Sequence, residues 1–252
     1  MDNTQDFPQN WVFIRGLTRS HFHWFDFKTQ FENKFKSKNV FAVELPGSGE
    51  LSKLKTPCDI SKIITELKKQ LPNLPTPFGV IGISFGGMIA TQWAIDYPSE
   101  ISHIVLMNTS SKSSPFYHRF RPALYFNFLK NVFFSSADRI EKFILTSTCN
   151  TKNWESVFSK CVEFQIKNPI QISNLIQQLR LAAKSEFKIK PDCKTLILAS
   201  KNDRLANYKC SLNIAQRWGL TPHIHPTAGH DLPLDDSTWI LEQIQTEFNF
   251  KY

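Results

Sequence analysis

Apolar residues along the chain follow two rhythms that take turns. Short apolar runs read as strands: Trp11-Val12-Phe13-Ile14, Val40 to Leu45, Phe78 to Ile83, Ile101 to Met107, Thr195 to Ala199, and a brief one near His223-Ile224-His225. Between them apolar positions recur at helical spacing, over Phe22 to Phe35, Asp59 to Leu71, Phe85 to Tyr97, Tyr208 to Trp218 and Thr238 to Phe248. Turn residues separate the two, notably Pro46-Gly47-Ser48-Gly49 and the link through Pro72, Pro75 and Pro77. Asp59 or Ser61 stands where an N-cap belongs. Asp235 and Asp236 read as favourable charges at the start of the last helix.

Alternating strands and helices predict a parallel sheet covered on both faces. The alternation lapses from Ser110 to about Lys190, where the spacing stays helical through Leu124 to Phe133, Ala137 to Leu145, Trp154 to Gln165 and Pro169 to Ala183. The expected fold is a three-layer α/β/α arrangement with a mostly parallel sheet of about six strands. Residues 1–110 and 191–252 would form its core, and 111–190 a helical cap inserted over one end. Chemistry in such sheets lies at the carboxyl ends of the strands.

Three of those ends carry suggestive residues. Gly82-Ile83-Ser84-Phe85-Gly86 follows a strand and opens a helix, which is the setting of a G-x-S-x-G nucleophile elbow. The tight turn pushes the Ser84 hydroxyl out of the sheet, and side chains at Gly82 or Gly86 would collide with strand or helix. A serine hydroxyl needs a base. His230, in Ala228-Gly229-His230-Asp231 after the last strand, is placed to be one. Asp203, in Lys201-Asn202-Asp203-Arg204 after the preceding strand, is placed to orient it. The alternatives are that Asp203 simply caps a turn and that His230 is an ordinary loop histidine, but the chain order Ser84, Asp203, His230 is the one expected behind such an elbow. An oxyanion needs two donors. The Phe85 N–H is one, and the Leu17 N–H is the other, with Gly16 letting the backbone come close.

Composition narrows the classes. The 252 residues with 41% hydrophobic content suffice for a core, and 22 Phe point to bulky packing or an apolar pocket. A net charge of +8 raises encounter rates with anionic partners without specifying one. No K/R-rich block or nucleic-acid motif occurs, so nucleic acid is set aside. No apolar run reaches the ~18 residues of a membrane span. Met1 to Asp6 is polar and acidic, unlike a secretory signal. Five scattered cysteines without a C-x-x-C pair argue for reduced thiols rather than disulfides or zinc, so a cytoplasmic location is expected.

Together these motifs resemble the α/β-hydrolase superfamily, and within it the compact bacterial esterase-like members with a helical cap. The likeness runs from Trp11 to Phe248 through R-G-L at 15–17, L-P-G-S-G at 45–49, G-I-S-F-G-G at 82–87, S-K-N-D-R-L at 200–205 and A-G-H-D-L-P at 228–233. The family commonly has His-Gly where this chain has Arg15-Gly16, and its usual opening β-hairpin is not expected here. The resemblance implies hydrolysis of a carboxylic ester or thioester through an acyl-enzyme, with no cofactor and no metal. Relatives that open epoxides or remove halogens resemble enzymes with Asp at the Ser84 position, so their chemistry is disfavoured.

The segment 111–190 would select the substrate. Phe116, Tyr117 and Phe120, with Tyr125, Phe126, Phe128, Phe133 and Phe134, either line an acyl pocket or form the cap's own core. Arg119 and Arg121, with His118, Lys130, Arg139 and Lys142, are either a solvated face or a surface for an anionic acyl carrier protein. In size, cap position and basic cap the chain is similar to esterases that cleave pimeloyl-acyl-carrier-protein methyl ester in biotin synthesis. A non-catalytic binding module on the same fold is the reading from another class. Oligomeric state is left open.

Overall fold

Strands β1 (Asn10–Ile14) and β3 (Phe78–Ile83) are buried at every position, as continuous apolar runs are when helices cover both faces of a parallel sheet. They belong to a computed structural model that describes residues 7–71, 73–119, 126–127, 130–131 and 135–250. With β2 (Asn39–Val43), β4 (Ile101–Met107), β5 (Lys194–Ser200) and β6 (His223–His225) they form one six-stranded sheet, ordered β2-β1-β3-β4-β5-β6. Every pairing is parallel.

Register divides the core in two. Phe13, Ile81, Val105 and Leu196 stand side by side across β1, β3, β4 and β5. Because side chains alternate along a strand, these point to one face and their neighbours Val12, Val80, Ile104 and Ile197 to the other. The first face packs against α1 (Phe27–Phe35) and the last helix of the chain, which we label α10 (Ser237–Glu247), through Phe27, Phe31, Phe35, Ile240 and Ile244. Much of the phenylalanine sits here, in an aromatic cluster with Trp11 and Trp24. The other face packs against α2 (Ile60–Lys68), α3 (Phe85–Asp96) and α8 (Lys209–Trp218) through Ile63, Leu67, Ile89, Trp93 and Ile214.

Helix boundaries follow local chemistry. Asp59 accepts from Lys62 N–H at 2.8 Å and caps α2. The stretch Phe22 to Phe35 is not one helix: a 3-10 turn at His21–Trp24 ends at Phe25, whose φ of 45° interrupts the spiral before α1. Asp236 caps α10 by accepting from Trp239 N–H at 2.9 Å. Asp235 has another role, described below.

Between β4 and β5 the described residues are helical: α4 (Phe116–Arg119), α5 (Ala137–Thr148), α6 (Phe158–Lys167) and α7 (Ile172–Lys184), with a 3-10 turn at Lys152–Ser156. The expected helix Leu124 to Phe133 lies largely outside the described residues. Side chains of α7 tie this segment to the strand-end loops. Asn174 accepts from Thr56 N–H and donates to the Ser52 and Leu54 carbonyls. Gln178 accepts from Thr18 N–H and donates to Ser48 Oγ. A short helix, α9 (Leu232–Asp235), precedes α10. No described helix is long and apolar enough to cross a membrane.

Candidate active site

At the carboxyl end of β3 the chain turns through Ser84, whose backbone has φ 55° and ψ −118°. Such a conformation costs a non-glycine residue free energy and persists only where the surroundings impose it. Here they do. Ser84 N–H donates to the Met107 carbonyl at 2.8 Å, and α3 begins at the next residue. A Cβ on Gly82 would lie 2.5 Å from the Gly86 carbonyl oxygen, and one on Gly86 would run into the carbonyls of Ile14 and Arg15. Strand, turn and helix fit together only because both positions lack side chains. A Cβ on Gly16 would stand 3.2 Å from Ser84 Cβ, so the loop after β1 passes directly beside Ser84.

Asp203 and His230 arrive from the ends of β5 and β6. Asp203 Oδ1 accepts from Leu205 N–H at 2.7 Å and Ala206 N–H at 3.0 Å, which fixes the loop. Its Oδ2 meets His230 Nδ1 at 2.6 Å, with the two residues only 2% and 7% exposed. A carboxylate can only accept, so Nδ1 carries the proton and the Nε2 lone pair is left available. Burial pulls the His230 imidazole down, but the charge and hydrogen bond of Asp203, with the charge of Asp231, outweigh it, and the net pKa is raised.

Two residues without an expected role at the site hold these loops. Asn108, at the end of β4 with φ 49°, donates to the His230 carbonyl at 2.9 Å and accepts from Ser200 N–H at 2.7 Å. Only its central place in the sheet order makes it a clip between the β5 and β6 loops. Asp235 is a correction: instead of charging a helix start in solvent it is buried, accepting from Gly229 N–H at 2.6 Å, Asn150 N–H, and Thr151 N–H and Oγ1. It joins the histidine loop to the end of α5. Asp231, the residue after His230, is paired with Arg15 at 2.6 Å.

Ser84 and His230 line one cavity of about 80 Å³. Leu17, Ile83, Phe143, Ile144 and Leu205 give it a mainly apolar wall, with Ser147 and Thr148 from α5. No hydrogen bond joins Ser84 and His230 among the described residues. Gly16 and Leu17 are at the cavity; Phe85 has its side chain in the core, so only its backbone is near Ser84. The sequence missed Phe143 and Ile144 because the helical segment gives no motif, only spacing, while Leu205 lies inside the quoted S-K-N-D-R-L stretch and shows its place at the cavity only in the folded chain.

Of the expected substrate contacts Gly16 lies at the cavity, whereas Phe116, Tyr117 and Arg119 are corrected. Phe116 and Tyr117 project into solvent, 65% and 69% exposed, away from the cavity wall. Arg119 is buried and donates to the Ala182 and Ala183 carbonyls in the last turn of α7, where a guanidinium complements the helix end. Phe120 and Arg121 lie outside the described residues.

Other reactive groups are accounted for. Burial pushes the Cys149 thiol up, and takes Cys161, Cys193 and Cys210 to about 11, so they stay protonated and are poor nucleophiles. His23, Glu141 and Cys161 offer ligand atoms within 4.8 Å of one another. That centre already holds a cation, since Arg19 donates to both Glu141 oxygens and stands 3.2 Å from His23 Nε2.

A family model described as "alpha/beta hydrolase fold" matches residues 12–237. Among solved structures, an esterase from Exiguobacterium antarcticum superposes with a TM-score of 0.71, at 16% identity over 97% of this chain and 93% of its own. A lipase-esterase related protein from Clostridium acetobutylicum ATCC 824 gives 0.68, at 16% identity over 95% and 94%. The 2-hydroxy-6-oxo-6-phenylhexa-2,4-dienoate hydrolase of Rhodococcus sp. strain RHA1 gives 0.73, at 15% identity over 98% and 92%. Among curated proteins, homoserine O-acetyltransferase of Pasteurella multocida (strain Pm70) is 55% identical over 38 residues, which is 15% of this chain and only 11% of that protein.

Proposed function

Because the chain belongs to the α/β hydrolase fold family, we propose that it is a serine hydrolase cleaving a carboxylic ester or thioester through an acyl-enzyme. The observation that carries this reading is the buried Asp203–His230 pair at 2.6 Å, whose histidine borders the same cavity as a serine held at φ 55°. A binding module has no use for that combination of strain and burial.

The steps follow from the groups present. Ser84 Oγ attacks the carbonyl carbon while His230 Nε2 takes its proton, and Asp203 stabilises the resulting imidazolium. The N–H groups of Leu17 and Phe85 receive the developing oxyanion. The proton on His230 passes to the departing alcohol or thiol, leaving an acyl ester on Ser84. His230 then deprotonates a water, which releases the acid and restores the serine. Nothing in this sequence calls for a cofactor or a metal.

The small apolar cavity suits a short acyl group, roofed by Phe143 and Ile144 of the proposed cap. The carrier-protein reading loses Arg119, which is spent on backbone carbonyls, and keeps Lys130, Arg139 and Lys142, which stand exposed. The acetyltransferase likeness raises a second fate for the same acyl-enzyme, attack by an acceptor hydroxyl in place of water.

A fluorophosphonate probe provides the test. Labelling of the wild type that is lost in Ser84→Ala supports the serine hydrolase, and no labelling of folded protein favours the binding module. A panel of esters from two to about twelve acyl carbons, with and without homoserine as acceptor, then reports cavity depth and the fate of the acyl group. The expected optimum is at the short end.

A further inference from the structure

Buried ion pairs hold the loop after β1 at both of its ends. Arg15 donates from Nη1 to Asp231 Oδ1 at 3.1 Å and from Nη2 to Oδ2 at 2.6 Å, and its guanidinium lies 5.0 Å from the centre of the Trp24 ring. Arg19, four residues on, makes its own pair with Glu141 of α5. Gly16, Leu17 and Thr18 lie between. Asp231 directly follows His230, and its N–H donates to the Thr148 carbonyl at 2.9 Å. Arg15 and Asp231 are 216 residues apart in sequence and both border the cavity.

Stability alone does not explain such a pair, because a buried ion pair can often be replaced by matched apolar side chains at little cost. What it supplies is geometry. A planar guanidinium gripping both oxygens fixes distance and orientation together, which a lysine cannot do. We propose that Arg15 and Asp231 are positioning residues, whose two-pronged contact sets the loop carrying the Leu17 N–H against the loop carrying His230. The inference rests on the serine hydrolase reading.

Charge gives the idea a signature. Asp203 from the β5 loop, Asp231 on the histidine's own loop and Arg15 from the β1 loop are the charged groups acting on His230. The remaining neighbours at the cavity, from β3, α5 and the β5 loop, are uncharged: Ile83, Ser84, Phe143, Ile144, Ser147, Thr148 and Leu205. Arg19 also borders the cavity but is matched by Glu141. Asp231 favours the imidazolium and Arg15 opposes it. Within the pair the two effects offset each other.

The experiment compares Arg15→Lys, Arg15→Met, Asp231→Asn and the double variant Arg15→Met/Asp231→Leu. The readouts are thermal melting, the NMR titration of the His230 imidazole, and kcat and KM against pH on a short-chain ester. Asp231→Asn should move the His230 midpoint down and Arg15→Met should move it up. Arg15→Lys keeps the charge, so its midpoint should stay near wild type while kcat falls about 10- to 100-fold with little change in KM. In the double variant the midpoint should return towards wild type and kcat should stay low. If the single variants do not fold, the double variant and Arg15→Lys carry the test. A folded double variant or Arg15→Lys with full wild-type kcat overturns the proposal, as do midpoints for Asp231→Asn and Arg15→Met that move together. If the wild type neither labels nor turns over, the hydrolase reading fails instead, and the NMR midpoints still decide whether the pair governs His230.

Discussion

Replacing Asp203 by asparagine isolates what its charge does, because the substitution is nearly isosteric. In the structure Oδ1 supports the loop through Leu205 and Ala206 N–H, and Oδ2 takes the His230 Nδ1–H. The asparagine oxygen can keep the two loop bonds, which leaves its NH₂ facing Nδ1. His230 must then accept at Nδ1 and carry its proton on Nε2, the wrong tautomer to deprotonate Ser84. The expected loss in kcat is about 10⁴, or about 5.4 kcal/mol of transition-state stabilisation. Asp203→Ala is the poorer test, since two buried N–H groups would lose their acceptor at roughly 1–3 kcal/mol each.

The pH dependence supplies a second readout with a definite sign. In the wild type the imidazole is raised, so the acid limb of kcat/KM should lie above the ordinary value of about 6.5. Burial is the largest influence on His230 and acts downward. With the Asp203 charge and hydrogen bond removed, burial prevails and the limb of the residual activity should move down. Stability follows by linkage. A raised folded-state pKa contributes stability that is fully present below about 6.5 and is lost as pH rises through the folded value. The contribution of His230 should therefore favour the wild type over the variant most below about pH 6.5, with the gap narrowing at higher pH. The assay is hydrolysis of a short-chain chromogenic ester across pH, beside urea unfolding of both proteins. Residual activity within about tenfold of wild type, or an acid limb that moves up, would refute the assignment of Asp203.

Ser84→Ala and His230→Ala should each lower kcat by about 10⁴–10⁶, and the double variant by little more, because the groups act as a unit; losses that multiply would show that they do not. Gly86→Ala should destabilise the fold by about 3 kcal/mol or more, since its methyl group meets the carbonyls of Ile14 and Arg15, which no rotamer can relieve. A thermal melt matching wild type would contradict that close approach. Asp235→Ala should cost about 4 kcal/mol in urea unfolding by stranding the Gly229, Asn150 and Thr151 donors. A loss below about 1 kcal/mol would mean that the histidine loop does not depend on it.

The core of the fold was legible from the chain because its signals are local. A strand buried on both faces must be largely apolar, and Trp11–Ile14 of β1, β3, and Ile104–Met107 of β4 show this without reference to any neighbour. The elbow is equally local, since Gly82, Ser84 and Gly86 are confined to one turn. The helical segment was less legible. Its spacing predicted helices, but which face of each meets the sheet depends on partners far along the chain. Arg119 and Tyr117 belong to one short helix, yet one is buried on carbonyls of α7 and the other faces solvent.

What the sequence determined by itself was the set of strands, their parallel alternation with helices, and the placing of Ser84, Asp203 and His230 at strand ends, all consequences of short-range periodicity and turn chemistry. Tertiary structure alone decided the strand order, and with it which loops became neighbours. It made Asn108 a clip, turned Asp235 from a surface charge into a buried acceptor, and set Arg15 against Asp231. Buried polar groups must find partners wherever packing leaves them, and a pairing across 216 residues leaves no trace in the local pattern of either one.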